Sequence, residues 1–414
     1  METAREPPQS YFSTKLIFIL FGIASLLGWN ALLTELGFFI HFLKRMNPAV
    51  SFSFLNYILN IIFQFLLFCK RNLFSLKFQL YAGIIGSIIF LILIPLCTMT
   101  LGEDTTINVL VTGGLVVLMG FVNAMCSGGF FNLVSNFPLE MIVALSTGQG
   151  FSGITMNILQ YIVLATVENI NVQAWIFFGV SVIILLICLI LLHISFNSEY
   201  FQYYLDKTNN KSINERTSLL IGDTEPEEKL SIVEALPEQN YLGFWGLLSR
   251  IWLIDLLVLY TYIVTFALFP NASLKQNLFN MDGAYGSNTI ILIYNVFDTI
   301  GRYLVSKITP TKKLNIIVIL SRSILLFTLI FNYYCQKQLE WNIIQTSILL
   351  IINVGLLAAT NGMGTTLCFG LAPNQVEDQY KGQAGTSVSF FLILGIALGS
   401  LVGFLTDIIM TKFE

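Results

Sequence analysis

Apolar residues run along this chain in long, uninterrupted stretches, and polar positions gather in the short breaks between them. Eleven stretches can be traced, at about 16–40, 50–69, 78–100, 107–135, 138–167, 172–196, 247–269, 284–307, 314–335, 342–371 and 383–409. Each is near or above the roughly 20 residues a helix needs to cross hydrocarbon, and the longer ones predict tilt or a kink. None alternates with period two, which excludes a β-barrel. Backbone groups in lipid must bond within their own segment, so these stretches predict helices. The expected fold class is all-α, a polytopic membrane protein of eleven transmembrane helices.

One break differs from the rest. Residues 197–245 hold nine acidic and four basic side chains, with Pro226, Pro237 and a polar Asn209 to Lys211 run. This composition predicts a linker rather than a packed element. It divides the chain into an N-terminal six-helix half (1–196) and a C-terminal five-helix half (246–414). A faint repeat supports that division. Phe130-Phe131-Asn132-Leu133, then Pro138, then Gly148-Gln149-Gly150 is echoed by Leu367-Cys368-Phe369-Gly370, Pro373 and Gly382-Gln383-Ala384-Gly385. The Pro-to-Gln separations are 11 and 10. Spans four and five thus resemble spans ten and eleven, as in halves related by an axis along the membrane normal.

Composition strengthens this reading. Of 414 residues, 55% are hydrophobic, 35 are Phe and only 11% are charged, against roughly a quarter charged in ordinary globular chains. A soluble domain is excluded, and a net charge of -3 with 21 Lys and Arg leaves no basic face for nucleic acid. The location of the cations gives an orientation. With the N-terminus cytoplasmic, that side collects Arg5, Lys15, Lys70, Arg71, Lys77, Lys207, Lys211, Arg216, Lys229, Lys307, Lys312, Lys313 and Lys381, against Lys44, Arg45, Lys275, Lys337 and Lys412 outside. Basic residues favour the cytoplasmic face, so the N-terminus is expected inside and, with eleven spans, the C-terminus outside. The expected location is the plasma membrane. The linker's Glu215, Leu219 and Leu220 form an acidic-dileucine pattern that points to a sorting adaptor and to an endosomal, lysosomal or vacuolar alternative.

Several chemistries are excluded by what is missing. Without a Gly-Lys dipeptide there is no P-loop to cradle ATP. His41 and His193 support neither an HExxH zinc site nor a Ser-His-Asp arrangement, and no TVGYG-like filter is present. An enzyme is not expected, nor is a cofactor or a metal. The six cysteines lie in or at the ends of apolar runs without CxxC spacing and read as small core residues.

Ionisable groups inside apolar runs are costly unless they meet a partner or a wet cavity, which makes them the first candidates for function. Here they are Glu35, Asp255, Asp298, Arg302 and Arg322, with Glu140 and Asp407 near helix ends. Asp298 and Arg302 are four apart and share one helix face, so they can pair. The pair either neutralises itself or, with Asn295 a turn away, forms a polar stripe facing a central cavity. Arg322 and Asp255 lack a partner on their own helices and are candidates for locks across the bundle. In span one, Trp29 beside Gly28 and Asn30 reads as a packing residue or as a flat binding face, and Glu35 as a group near a wet outer vestibule. Gly148 and Gly153 in span five, and Gly395 and Gly399 in span eleven, mark faces where helices approach closely or slide.

Taken in order, these motifs resemble the equilibrative nucleoside transporters. The resemblance rests on Leu26-Leu27-Gly28-Trp29-Asn30, Phe137-Pro138 followed by Ser146-Thr147-Gly148-Gln149-Gly150, and Asn295-Val296-Phe297-Asp298-Thr299-Ile300-Gly301-Arg302. Asn361-Gly362, Leu367-Cys368-Phe369-Gly370, Ala384-Gly385 and Leu394-Gly395-Ile396-Ala397-Leu398-Gly399 complete it. It implies a major-facilitator-like bundle and facilitative transport of nucleosides, with nucleobases as further substrates, by alternating access in a lipid bilayer. It also implies that Leu26, Trp29, Ser127, Asn295, Asp298 and Arg302 meet the substrate. Ser127 departs from the family, which often carries glutamine just before the span-four glycine. A transporter of another polar solute, or a non-transporting receptor or scaffold with the same bundle, remains an alternative.

Overall fold

The computed structural model describes residues 11–46, 48–70, 73–206, 244–281, 283–339 and 341–412. Eleven long helical segments account for most of it, here named α1 (Tyr11–Thr34), α2 (Pro48–Cys69), α3 (Leu76–Thr100), α4 (Thr106–Val134), α5 (Leu139–Thr166), α6 (Ile170–Phe196), α7 (Phe244–Leu268), α8 (Gly283–Leu304), α9 (Lys312–Lys337), α10 (Ile343–Leu371) and α11 (Lys381–Thr411). Helix α9 is broken at Arg322 into Lys312–Ser321 and Ser323–Lys337. The positions of several helix starts follow from local chemistry. Side chains of Ser75, Thr105, Asn169, Thr311 and Asn342 accept hydrogen bonds from the first free backbone N–H groups of α3, α4, α6, α9 and α10, which sets where each helix begins.

Nine of these helices are long and apolar enough to cross a membrane among the described residues. The two expected spans outside that set are α5 and α8, of 28 and 22 residues. Both are long enough to span, but both carry too many polar residues to qualify on hydropathy. The outer surface has the opposite character. Ile183, Ile187, Ile190 and Ile194 of α6 and Ile317, Leu320, Ile324, Phe327 and Phe331 of α9 are exposed. Asn, Gln, Ser and Thr are concentrated inside. Apolar side chains outward and polar ones inward suit a hydrocarbon solvent.

Helix pairing repeats after six elements. The most extensive contacts are α1 with α5 and α7 with α11, followed by α8 with α10, and α3 and α2 with α4. Glycine explains why these pairs are close. A Cβ at Gly22 would strike the Leu145 carbonyl, and one at Gly148 would strike the Ile19 carbonyl, so α1 and α5 meet backbone to backbone. Gly395 and Gly399 of α11 do the same against Leu259 to Ile263 of α7. Helices α1–α6 touch helices α7–α11 mainly through α5 with α8 and through α11 with α2 and α4. The rings of Phe131 on α4 and Phe369 on α10 also stack, with centroids 3.5 Å apart. The linker's interior, including Glu215, Leu219 and Leu220, lies outside the described residues.

The α1–α5 contact yields a direct test. Gly148→Val should lower the thermal midpoint of detergent-solubilised protein, by overpacking of about 1–3 kcal/mol or more. Gly37→Ala is the control, because nothing lies within 4 Å of a Cβ there, and it should leave the midpoint unchanged. Equal midpoints for both variants would contradict the close approach.

Candidate functional site

Helix α8 positions the polar groups by its period. Asn288, Asn295, Asp298, Thr299 and Arg302 recur at three-, four- and seven-residue intervals and occupy one face, while Phe297, Ile300 and Tyr303 on the other face are exposed. The inward face meets α5 on one side and α10 on the other. Small residues allow this. Gly301 packs on the Ala359 carbonyl and Gly362 on the Asp298 carbonyl, joining α8 to α10, and Gly150 packs on Thr299 and Gly153 on the Asn295 amide, joining α8 to α5.

Asp298 and Arg302 form the expected ion pair. Arg302 Nε donates to Asp298 Oδ2 at 2.7 Å, and the two side chains are 5% and 7% exposed. The pair does not stand alone. Arg302 Nη1 donates to Gln149 Oε1 and Ser146 Oγ, both at 3.0 Å, and to the Ser146 carbonyl at 3.2 Å. Asn361 Nδ2 donates to Asp298 Oδ1 at 2.8 Å, leaving Asn361 Oδ1 2.8 Å from the Thr265 hydroxyl. Thr265 Oγ1 in turn accepts from Arg322 Nη2. On the other side, Gln149 Nε2 donates to Ser25 Oγ at 3.1 Å. A continuous hydrogen-bond chain therefore runs from α1 through α5, α8, α10 and α7 to α9. It contains one carboxylate and two guanidinium groups, and each carboxylate oxygen has a donor.

Around this chain lie the other predicted residues. Trp29 is buried against Tyr57 of α2, with ring centroids 5.5 Å apart. Asn30 Nδ2 donates to Ser152 Oγ at 3.0 Å, tying α1 to α5. Asn295 Nδ2 donates to Asn157 Oδ1 at 2.6 Å, and Asn157 continues to Asn288, so α5 and α8 are zipped by amides toward the α1–α2 end. Leu26 is half-buried on α1. Ser127 Oγ accepts from Gln64 Nε2 at 3.1 Å and donates to the Asn123 carbonyl at 2.8 Å. Trp29, Asp298 and Arg302 are all buried, so the centre is closed in this state. A cavity of about 530 Å³ does open elsewhere, beside the α2–α3 turn and the start of α11. None of the predicted binding residues lines it.

Three sequence expectations need adjustment. Glu35 is not in a wet vestibule: it is 1% exposed, at the break after α1. Arg322 donates to Thr265 and Thr360, and Asp255 accepts from Ser387 Oγ at 2.9 Å. All of those partners lie beyond residue 246, so neither residue locks one half to the other in this state. Gly395 and Gly399 likewise pack within the C-terminal half, whereas Gly153 faces α8 across the two halves. Ser146, Gln149 and Asn361 stand in the sequence motifs without a role attached to them, and Thr265, Tyr57 and Gln64 carry no sequence mark. The three-residue spacing of Ser146 and Gln149 within Ser146-Thr147-Gly148-Gln149-Gly150 was the available signal.

The sequence profile described as nucleoside transporter matches residues 114–408, which includes α5, α8 and α10. The chain belongs to the nucleoside transporter family. This is a family of membrane transporters, not of enzymes. Equilibrative nucleoside transporter 1 of Rattus norvegicus is 24% identical, covering 98% of this chain and 99% of that one. Equilibrative nucleotide transporter 1 of Arabidopsis thaliana is 23% identical over 97% of this chain and 87% of its own length. Among solved structures, a D-xylose–proton symporter superposes with a TM-score of 0.63 at 15% identity, covering 98% of each chain. A proton–xylose symporter of the major facilitator superfamily gives 0.61 at 16%, with coverage of 97% and 95%. The fold is that of the major facilitator superfamily.

Coupling within the pair is measurable by unfolding in mixed micelles. Asp298→Ala and Arg302→Ala should each cost about 3–5 kcal/mol, because each leaves a buried charge uncompensated. The double variant should cost clearly less than the sum of the two singles. Additive losses would show that the two groups are not paired.

Proposed function

We propose that the protein carries nucleosides across a membrane by facilitated diffusion, with the Asp298–Arg302 pair meeting the ribose. The observation that carries this reading is the pair's position at the junction of α5, α8 and α10, fixed by Ser146, Gln149 and Asn361. Carboxylate oxygens only accept and guanidinium N–H groups only donate. Side by side they match vicinal hydroxyls, each of which does both. Trp29 and Tyr57 supply the flat apolar surface on which an uncharged base stacks. Nucleosides carry no net charge, so a solute-driven cycle needs no separate ion site.

Opening follows from the same contacts. All eleven helices are taken to cross the bilayer, with the N-terminus cytoplasmic and the C-terminus outside. Arg302 belongs to the C-terminal half, and its acceptors Ser146 and Gln149 to the N-terminal half. Separation of the halves around a central site is the usual route of alternating access. It would free Arg302 for the substrate, whose hydroxyls would replace the lost acceptors. Nucleobases, which lack the ribose, would bind through the aromatic side alone and more weakly. The plasma membrane is the proposed location, and replacing Leu219 and Leu220 with Ala tests whether a sorting adaptor redirects the protein.

The test is uptake of labelled adenosine and uridine by cells lacking nucleoside transport. Saturable uptake is expected, with trans-stimulation by unlabelled nucleoside and no stimulation by amino acids. Absence of uptake by correctly displayed protein would refute the carrier reading. Trp29→Ala should raise the adenosine KM about tenfold, in keeping with the 1–3 kcal/mol of base–aromatic stacking. An unchanged KM would make Trp29 a packing residue only.

A further inference from the structure

Away from the Asp298–Arg302 pair, α2 carries a row of polar groups of its own. Asn56, Asn60 and Gln64 stand four residues apart on one face of an otherwise apolar helix, and all three are buried. That face looks toward α4, where Gly120 packs on the Asn56 carbonyl and Asn123 Nδ2 donates to Asn56 Oδ1 at 3.2 Å. Both contacts serve helix packing. Gln64 goes further.

The orientation of the Gln64 amide is fixed by its surroundings. Nε2 donates to the Ala124 carbonyl at 3.3 Å and to Ser127 Oγ at 3.1 Å. A carbonyl oxygen cannot donate, so flipping the amide would set two acceptors against each other. Oε1 is therefore committed to accepting, yet it is buried without a hydrogen-bond partner among the described residues, in a side chain with no exposure at all. Such an atom costs about 1–3 kcal/mol and calls for a donor. Gly128 of α4 lets the amide approach this closely, because a Cβ there would stand only 3.0 Å from Oε1. Along α2, Gln64 lies two turns from Tyr57, which touches Trp29. Positions seven apart share a face about 10 Å apart, which is on the scale of a nucleoside's length. Gln64 also holds Ser127 through the Nε2 hydrogen bond.

We propose that Gln64 reads the base: once the halves open, its Oε1 accepts a hydrogen bond from an N–H on the base's Watson–Crick edge, an exocyclic amine or a ring N–H. The ligand class is thus a nucleoside whose base donates, and the amide that reads it comes from α2 instead of α4. This rests on the carrier reading above.

The experiment compares adenosine with purine riboside, which is the same nucleoside without the 6-amino group. In the wild type, the adenosine KM should be about tenfold lower, the worth of roughly one hydrogen bond to an otherwise unpaired acceptor. In Gln64→Met the adenosine KM should rise about tenfold to meet that of purine riboside, which moves less than twofold. Gln64→Asn withdraws the oxygen by one methylene and should also reduce the ratio, which keeps the test valid if the Met variant fails to reach the membrane. The ratio of KM values is insensitive to the amount of folded carrier. An unchanged ratio in both variants, or equal weakening for both nucleosides, would overturn the proposal and leave Gln64 as a tie between α2 and α4. Failure of the wild type to take up either nucleoside would instead overturn the carrier reading, and this inference with it.

Discussion

An ion pair buried in a bilayer protein is stable only when its remaining donors and acceptors are also met, and the Asp298–Arg302 pair imposes that demand on every helix around it. The carboxylate uses α10 through Asn361, and the guanidinium uses α5 through Ser146 and Gln149. Those helices must come close enough for short side chains to reach, which is what the glycines provide. Gly301 and Gly362 bring α8 against α10, Gly150 and Gly153 bring it against α5, and Gly22 with Gly148 sets α1 behind α5. The polarity of α5 and α8 follows from the same demand. A helix that supplies partners to a buried charge cannot also be uniformly apolar.

The network has two kinds of link, and they differ in what motion of the halves does to them. Asp298 to Asn361, Asn361 to Thr265 and Thr265 to Arg322 all lie within the C-terminal half. They can hold Asp298 in place while the halves separate. Arg302 to Ser146 and Gln149 crosses between the halves, as does the amide zipper of Asn157 with Asn295 and Asn288. In the proposed transport cycle these are the links that open when a solute enters. A rigid carboxylate beside a releasable guanidinium is an arrangement in which solute hydroxyls can replace protein groups one for one. Arg322, which sequence reasoning cast as a lock between halves, fits better as the far anchor of the fixed part.

Much of this was legible along the chain. The helices follow from run length, although α5 and α8 are too polar to qualify as membrane spans on hydropathy, and the pairing of Asp298 with Arg302 follows from a spacing of four. The motif order around Trp29, Gly148 and Asn361 was enough to identify the family. What stayed hidden was long-range geometry. Ser146 and Arg302 are 156 residues apart, and nothing in either segment marks the other as its partner. Gln64 shares its apolar run with Asn56 and Asn60, and what sets it apart is a contact: its Nε2 is occupied while its Oε1 has no hydrogen-bond partner among the described residues. Glu35 looked peripheral because it is near a helix end. Burial depends on the neighbouring helix, which one-dimensional hydropathy does not contain.

The central claim is that the pair meets ribose hydroxyls, and equilibrium binding to the purified protein tests it most directly. The comparison is between adenosine and 2′,3′-dideoxyadenosine, measured calorimetrically for the wild type and for Asp298→Asn. The account predicts that the wild type prefers adenosine by about tenfold or more, in line with 1.5–3 kcal/mol for hydrogen bonds to charged groups, and that the preference largely disappears in Asp298→Asn. A wild type that binds both nucleosides equally, or a preference that survives the substitution intact, would contradict it.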